Sequence, residues 1–256
     1  MAVAKAWRVA GTTAIVLVMV GGGLQSWSVV AQQQTTADWS HDGPIHRLRL
    51  ETGNASVKVR AGRDGHVVVH QRLDWMVRKP VVTTVPDGDL LTVGLHCRQV
   101  LPVADFGCGA EIEVDVPAST EVSGAVGSGS VRVEGLSGAV DVSLGSGELL
   151  LVDTSGDVSA RATSGLIQGT NLSARRVDVR TTSGSMELGF ARAPERVEAR
   201  ATSGSLTMTV PRDSRYAFSS EVGSGDGRID PQLADADSPN RIHATVTSGS
   251  ITVNPS

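Results

Sequence analysis

Arg180-Thr181-Thr182-Ser183-Gly184-Ser185-Met186-Glu187-Leu188-Gly189-Phe190 is followed by a second copy of its pattern. That copy is Arg200-Ala201-Thr202-Ser203-Gly204-Ser205-Leu206-Thr207-Met208-Thr209-Val210. In each, a Ser-Gly pair precedes apolar residues at alternate positions: Met186, Leu188 and Phe190 in one, Leu206, Met208 and Val210 in the other. Alternation with period two puts these side chains on one face of a strand. Glycine accepts backbone angles that bend the chain sharply, and serine and threonine hydroxyls bond locally to a turned backbone. Each unit therefore reads as a strand with a Ser-Gly corner.

Outward from these copies, glycines that follow a serine stand at 129, 138, 147, 156 and 165, nine residues apart, and then at 184, 204, 225 and 249. A strand this short cannot bury its inner face alone, so the units must stack. Two units, about 18 to 20 residues, make one turn of a flattened coil. Gly129, Gly147, Gly165, Gly184, Gly204, Gly225 and Gly249 then fall on one edge, and Gly138 and Gly156 begin the other. The fold class expected is all-β, a β-solenoid over 119–256. Residues 45–118, which include Ser56-Val57-Lys58-Val59-Arg60 and the turn Pro86-Asp87-Gly88, read as an irregular antiparallel β region. Residues 32–44, polar and without periodicity, read as a linker.

The composition agrees with a thin, repetitive core. There are 29 glycines among 256 residues and only 3% aromatics, so Val, Ala, Leu and Ile must fill the interior. The net charge of −4 gives no basic surplus of the kind that marks nucleic-acid binding. Lys5 and Arg8 precede an uncharged apolar stretch, and the segment 1–31 reads as a signal anchor or a signal peptide. Its most apolar part, Val9 to Leu24, makes about 24 Å of helix against a hydrocarbon core of about 30 Å, and extension through Trp27 and Val30 allows a span. Val29-Val30-Ala31 also offers small residues for cleavage near Ala31. Either route puts the rest of the chain outside the cytoplasm. There the two cysteines, Cys97 and Cys108, are expected to form a disulfide.

Arg161, Arg180 and Arg200 each stand four residues before a corner glycine. Stacked turns would align them about 4.8 Å apart. Like charges at that spacing repel, so Ser159, Asp178 and Glu198, two residues earlier, are the expected partners. The ladder is read in two ways: a salt-bridged solvent face, or a docking strip for a polyanion such as an acidic wall polymer, to which arginine's planar fork is suited. Other chemistry is poorly supported. The corners lack the aspartates that calcium-binding nonapeptide repeats require; only Asp157 and Asp226 directly follow a corner glycine. No Gly-x-Ser-x-Gly elbow or Ser-x-x-Lys pair occurs. The cluster His41, Asp42, His46 stands before the first strand with no further ligand. A column of Asp141, Asp178 and Glu198 is the nearest approach to a glycan-cleaving carboxylate set. No catalytic residue, metal or cofactor is expected.

The paired cysteines before a strand ending in Val116-Pro117, together with the Thr-Ser-Gly corners, resemble the bacterial "putative adhesin" β-strand-repeat family, a family of unknown function, over roughly residues 45–256. The resemblance implies a β-solenoid outside the membrane with a non-enzymatic role in structure or interaction at the cell envelope, and it carries over no catalytic residue. The expected partners are a cell-wall polymer or another envelope protein, with the membrane engaged through the N-terminal segment. The alternative roles are binding or processing of an acidic polymer through the arginine face, or service as an accessory subunit of an envelope-stress system.

Overall fold

The computed structural model describes residues 33–75, 79–97 and 108–256. Its strands are β1 (Gln33–Asp42), β2 (Arg47–Thr52), β3 (Ser56–Ala61), β4 (His66–Trp75), β5 (Val81–Asp87), β6 (Leu90–His96), β7 (Cys108–Val116), β8 (Glu121–Val126), β9 (Ser130–Glu134), β10 (Val140–Val152), β11 (Val158–Leu172), β12 (Arg176–Phe190), β13 (Arg196–Val210), β14 (Ala217–Ile229) and β15 (Arg241–Pro255). All belong to one sheet folded into two layers.

From β10 onward each turn is one bent strand of 13 or 15 residues. Pairing does not stop at the corner. Ser164↔Ser183 and Gly165↔Gly184 are in register, as are Ser183↔Ser203 and Gly184↔Gly204. The residues before the glycine lie in the first layer, and those after it lie in the second. Inward positions of both layers meet in a single core that includes Ala160, Val179 and Ala199 from one side and Ile167, Met186 and Leu206 from the other, each fully buried.

The corner glycines form one file: Gly129, Gly147, Gly165, Gly184, Gly204, Gly249 and Gly225. A Cβ placed on Gly184 would stand 2.0 Å from the carbonyl oxygen of Gly165, and one on Gly204 would stand 1.7 Å from that of Gly184. With φ of 147° and 144°, these two corners also use backbone angles that other residues rarely adopt. Close stacking of backbone on backbone is thus the reason for the glycine repeat. Gly138 and Gly156 stack similarly on the opposite edge.

Two expectations need correction. First, residues 45–118 are not a separate antiparallel region. β2 with β3, and β6 with β7, form parallel turns of the same solenoid, since β2 pairs with β6 and β8 and β3 pairs with β7 and β9 in parallel. Only β1, β4 and β5 join antiparallel, as β1 on β4, β4 on β7 and β5 on β6. Alternating apolar residues such as Leu48, Leu50, Val57 and Val59, all buried, fit the coil as well as the later repeats do. Second, the expected linker is the edge strand β1. Its polar residues are tolerated because an edge strand with one wet face needs only Trp39 and a few neighbours on the core. The C-terminal strand does not form the edge of the sheet. β15 lies between β13 and β14, and β14 ends the sheet.

The turns do not stack in chain order at either end. The first turn, β2/β3, is inserted between β6/β7 and β8/β9, just as the last, β15, is inserted between β13 and β14. At the second exchange two connections cross and bind each other. Tyr216 N–H donates to the Leu233 carbonyl at 2.9 Å, and Ser238 Oγ donates to the Arg215 carbonyl at 2.7 Å. Tyr216 and Leu233 are fully buried at this crossing.

The leader 1–31 lies outside the described residues, among which no helix is long and apolar enough to cross a membrane. Cys97 is not a free thiol. The side chain of Cys108 falls outside the described residues.

Candidate functional site

The outer surface of the first layer is set by residues that alternate with the buried ones. In β11, Ser159, Arg161 and Thr163 face out while Val158, Ala160 and Ala162 face the core. Parallel pairing then turns each outward position into a column. Arg161↔Arg180↔Arg200 are in direct register, as the sequence predicts. Thr245 and Ser143 continue the column on either side.

Each arginine has a carboxylate. Arg180 holds Asp178 with two bonds, at 3.0 and 2.7 Å. Arg200 meets Glu198 at 3.1 Å. Arg161, which has Ser159 at the expected partner position, reaches across to Asp141 on the next strand at 3.5 Å. These hydrogen bonds raise the pKa of Arg180 and lower that of Glu198, the latter through Arg196 first and Arg200 second. The three arginines remain 50%, 45% and 40% exposed, so an incoming anion can reach them.

A second arginine row lies beside the first. Arg176, Arg196 and Arg241 are in register on β12, β13 and β15. They stand eight residues before Gly184, Gly204 and Gly249. The same period that exposes the first row would have found them. Arg176 bonds Asp157 at 2.7 Å, and Arg196 shares Glu198 with Arg200. The Arg241 side chain has no partner among the described residues. Six arginines (161, 176, 180, 196, 200, 241) thus face four carboxylates (Asp141, Asp157, Asp178, Glu198), a local excess of positive charge on an acidic chain. A groove of 510 Å³ runs along Arg161, Arg180 and Arg200 and is bordered by Thr163, Thr182, Thr202 and Thr247.

The other sequence candidates do not assemble. Asp141, Asp178 and Glu198 share a column, with Ser159 between the first two, but each is engaged by an arginine. His41 stacks on Trp39 at 5.7 Å, Asp42 bonds His66, and His46 is held through its backbone to Asp89. Asp157 is bound to Arg176, and Asp226 lies on the edge strand β14. Among the described residues no group of three or more His, Cys, Asp or Glu is placed to hold a metal ion. Trp39 and Trp75 pack partly buried against the core.

Comparison with known proteins adds the following. No curated protein matches the chain. Among solved structures, a "putative adhesin" from Bacteroides fragilis NCTC 9343 is 13% identical with a TM-score of 0.48, covering 87% of this chain and 97% of that one. Another from Parabacteroides merdae ATCC 43184 is 13% identical with a TM-score of 0.44, covering 88% and 96%. A "putative cell adhesion protein" from Clostridium sporogenes ATCC 15579 is 11% identical with a TM-score of 0.41, covering 88% and 100%. Residues 158–254, from β11 nearly to the end of β15, match the family model described as Toastrack DUF4097.

Proposed function

We propose that the protein is a non-enzymatic, adhesin-like interaction module of the cell envelope, held at the outer surface of the membrane by its apolar N-terminal segment. It presents the arginine face of its first layer to an anionic polymer of the wall. The observation that carries this reading is the pair of arginine rows on a hydrogen-bonded sheet. The side chains repeat at about 4.8 Å and are fixed in place before any ligand arrives, so little freedom is lost on binding. Guanidinium forks suit carboxylate and phosphate oxygens, and an extended polymer can meet several at once.

Two further observations support parts of the reading. β1 begins at Gln33, so little chain separates the end of the apolar leader at Ala31 from the folded domain. The module would then sit close to the bilayer, with Cys97 and Cys108 bridged in that oxidising compartment. The carboxylates of the face are poorly suited to catalysis. Glycan cleavage needs one carboxyl kept protonated near neutral pH, whereas Glu198 is held below the usual range by its arginines.

The test is retention of the protein on isolated anionic wall polymer. Arg161→Gln, Arg180→Gln and Arg200→Gln together should lower retention at least tenfold, and added salt should weaken retention of the unaltered protein. Unchanged retention in the triple variant sinks the reading. Release of shorter saccharides during the incubation would replace it with an enzymatic one.

A further inference from the structure

The two layers do not end level at the N-terminal end of the sheet. Beyond the β6/β7 turn the first layer adds one strand, β5 on β6, whereas the second adds two, β4 on β7 and then β1 on β4. β1 therefore extends one strand past β5, and among the described residues no strand of the first layer lies across it. Its inward positions are those opposite the buried Val67, Val69 and Leu73, namely His41, Trp39 and Thr35. Trp39 is only partly buried, His41 stacks on it, and Ala37 on the same face is exposed. The result is a step floored by the inner face of β1 and walled by the free edge of β5. That edge is unguarded, since Val81 to Pro86 holds no charged residue, while the far edge strand β14 has Glu221, Asp226 and Arg228. The charges of β1 lie on its outer face and are engaged there, Asp38 by His70 and Asp42 by His66.

We infer that a second copy of this chain fills the step. A two-fold axis parallel to the strands exchanges the two layers and keeps strand direction. It sets the second copy's β1 across the core from β1 and beside β5, and the second copy's β5 beside β1. Each overhang thus fills the other's gap, two pairs of free edges are joined, and every inward residue of β1 faces its own copy. β1 and β5 both begin on the corner side of the solenoid. Gln33 is opposite Trp75, itself opposite Cys108, and Val81 is opposite His96. The new pairing is therefore parallel, like that of the other turns, and both β1 strands start on the same side. The apolar segment 1–31 ends just before Gln33, so two copies joined in this way can share one bilayer. An arrangement that reversed the strands would send the two leaders to opposite sides. An unrelated extended peptide would pair with β5 alone and leave the edge of β1 open. Because the axis exchanges the layers, the two arginine faces point in opposite directions. On the polymer-binding reading, on which this last consequence alone rests, the dimer bridges two polymer strands.

The full-length chain in detergent micelles is expected to sediment as a dimer at micromolar concentration. Ala37→Lys, which sets like charges against each other across the axis, should halve the mass. Ala37→Cys should be joined to a second copy by a short bis-maleimide, with the parent chain as the blank, whereas Ser220→Cys on the opposite edge strand β14 should not. Circular dichroism checks that Ala37→Lys folds, and the crosslinking pair carries the test if it does not. The inference is overturned by a parent chain that stays monomeric up to about 100 µM, or by a dimer that folded Ala37→Lys leaves intact. It is also overturned if Ser220→Cys crosslinks as strongly as Ala37→Cys. A dimer that fails to hold wall polymer ends the polymer reading and leaves the joint standing. Retention of polymer by a monomer does the reverse.

Discussion

The corner of the first turn, at Gly53 to Ala55, and the corners from Gly129 to Gly249 do the same work under different constraints. At Gly53 a Cβ would meet nothing within 4 Å, and the file begins on Ala55, a residue with a side chain. At Gly147, Gly165, Gly184, Gly204 and Gly249 a Cβ would collide with the carbonyl of the neighbouring corner at 2.0 Å or less. Along the file each such Cβ points towards the turn that lies on the β6/β7 side. For Ala55 that neighbour is β6/β7 itself, where β6 ends at His96 and β7 begins at Cys108, with no Ser-Gly pair in the sequence between them. Glycine is therefore required only where one tight corner rests on another.

The largest test of this contrast is Gly184→Ala against Gly53→Ala. The first should destabilise by about 3 kcal/mol or more, because a carbonyl must move and the backbone angle is unfavourable, and the second should stay within about 0.5 kcal/mol. Thermal melts of the two variants compare them directly, and equal losses would show that the file does not depend on close stacking. The β6/β7 turn should depend on its cysteines instead. Cys97→Ser is expected to cost about 2–3 kcal/mol, lost from the parent in reductant as well, if the bridge to Cys108 closes that loop. A parent melt insensitive to reductant would count against the bridge.

A smaller effect should appear inside the regular turns. The hydroxyl of Thr181 is buried without a partner, while the flanking residues of its column are Ala162 and Ala201. Thr181→Val keeps the shape and removes the unsatisfied group, so it should stabilise by about 1 kcal/mol and raise the melting temperature by about 2–4 °C. The smallest effect concerns pH. The Glu198 carboxyl is held low in the folded state by hydrogen bonds from Arg196 and then Arg200. Its contribution is complete above the ordinary glutamate value of about 4.3 and is lost as pH falls through the folded value. Glu198→Gln should therefore flatten the acid side of the stability curve below about pH 4.3 and leave its shape near neutrality unchanged. An identical acid limb in the variant would show that the shared carboxylate contributes nothing to folding.

The regular half was legible because one geometric demand, the absence of a Cβ, writes the same letter at each corner. The register of Arg161, Arg180 and Arg200 followed from it. The second row, Arg176, Arg196 and Arg241, obeys the same count but lies eight residues from the glycine, outside the short motif that drew attention to the first. The earlier turns were obscured because Ala55 and the 97–107 connection replace the glycine signal. The exchange of β14 and β15 was not written in the period. It follows from a difference in burial value. The inward positions of β15 are Ile242, Ala244, Val246, Ile251 and Val253, all buried, whereas β14 offers Ser220 and Gly227 opposite Ala244 and Ile251. The more apolar strand goes inside and the polar one takes the edge, where small and charged residues such as Glu221 and Asp226 also discourage pairing with other chains.

The crossed order at both termini has an evolutionary and mechanical corollary. A plain coil can gain or shed rungs at its tips one at a time, but here each tip is a clasp whose outermost rung depends on the rung tucked beneath it. Deleting the final fifteen-residue strand would strand its neighbour as well. Growth by duplication is therefore confined to the interior, between Gly147 and Gly204, and pulling on the C-terminus loads an inner rung, whereas pulling from the N-terminal side first peels the edge strand β1.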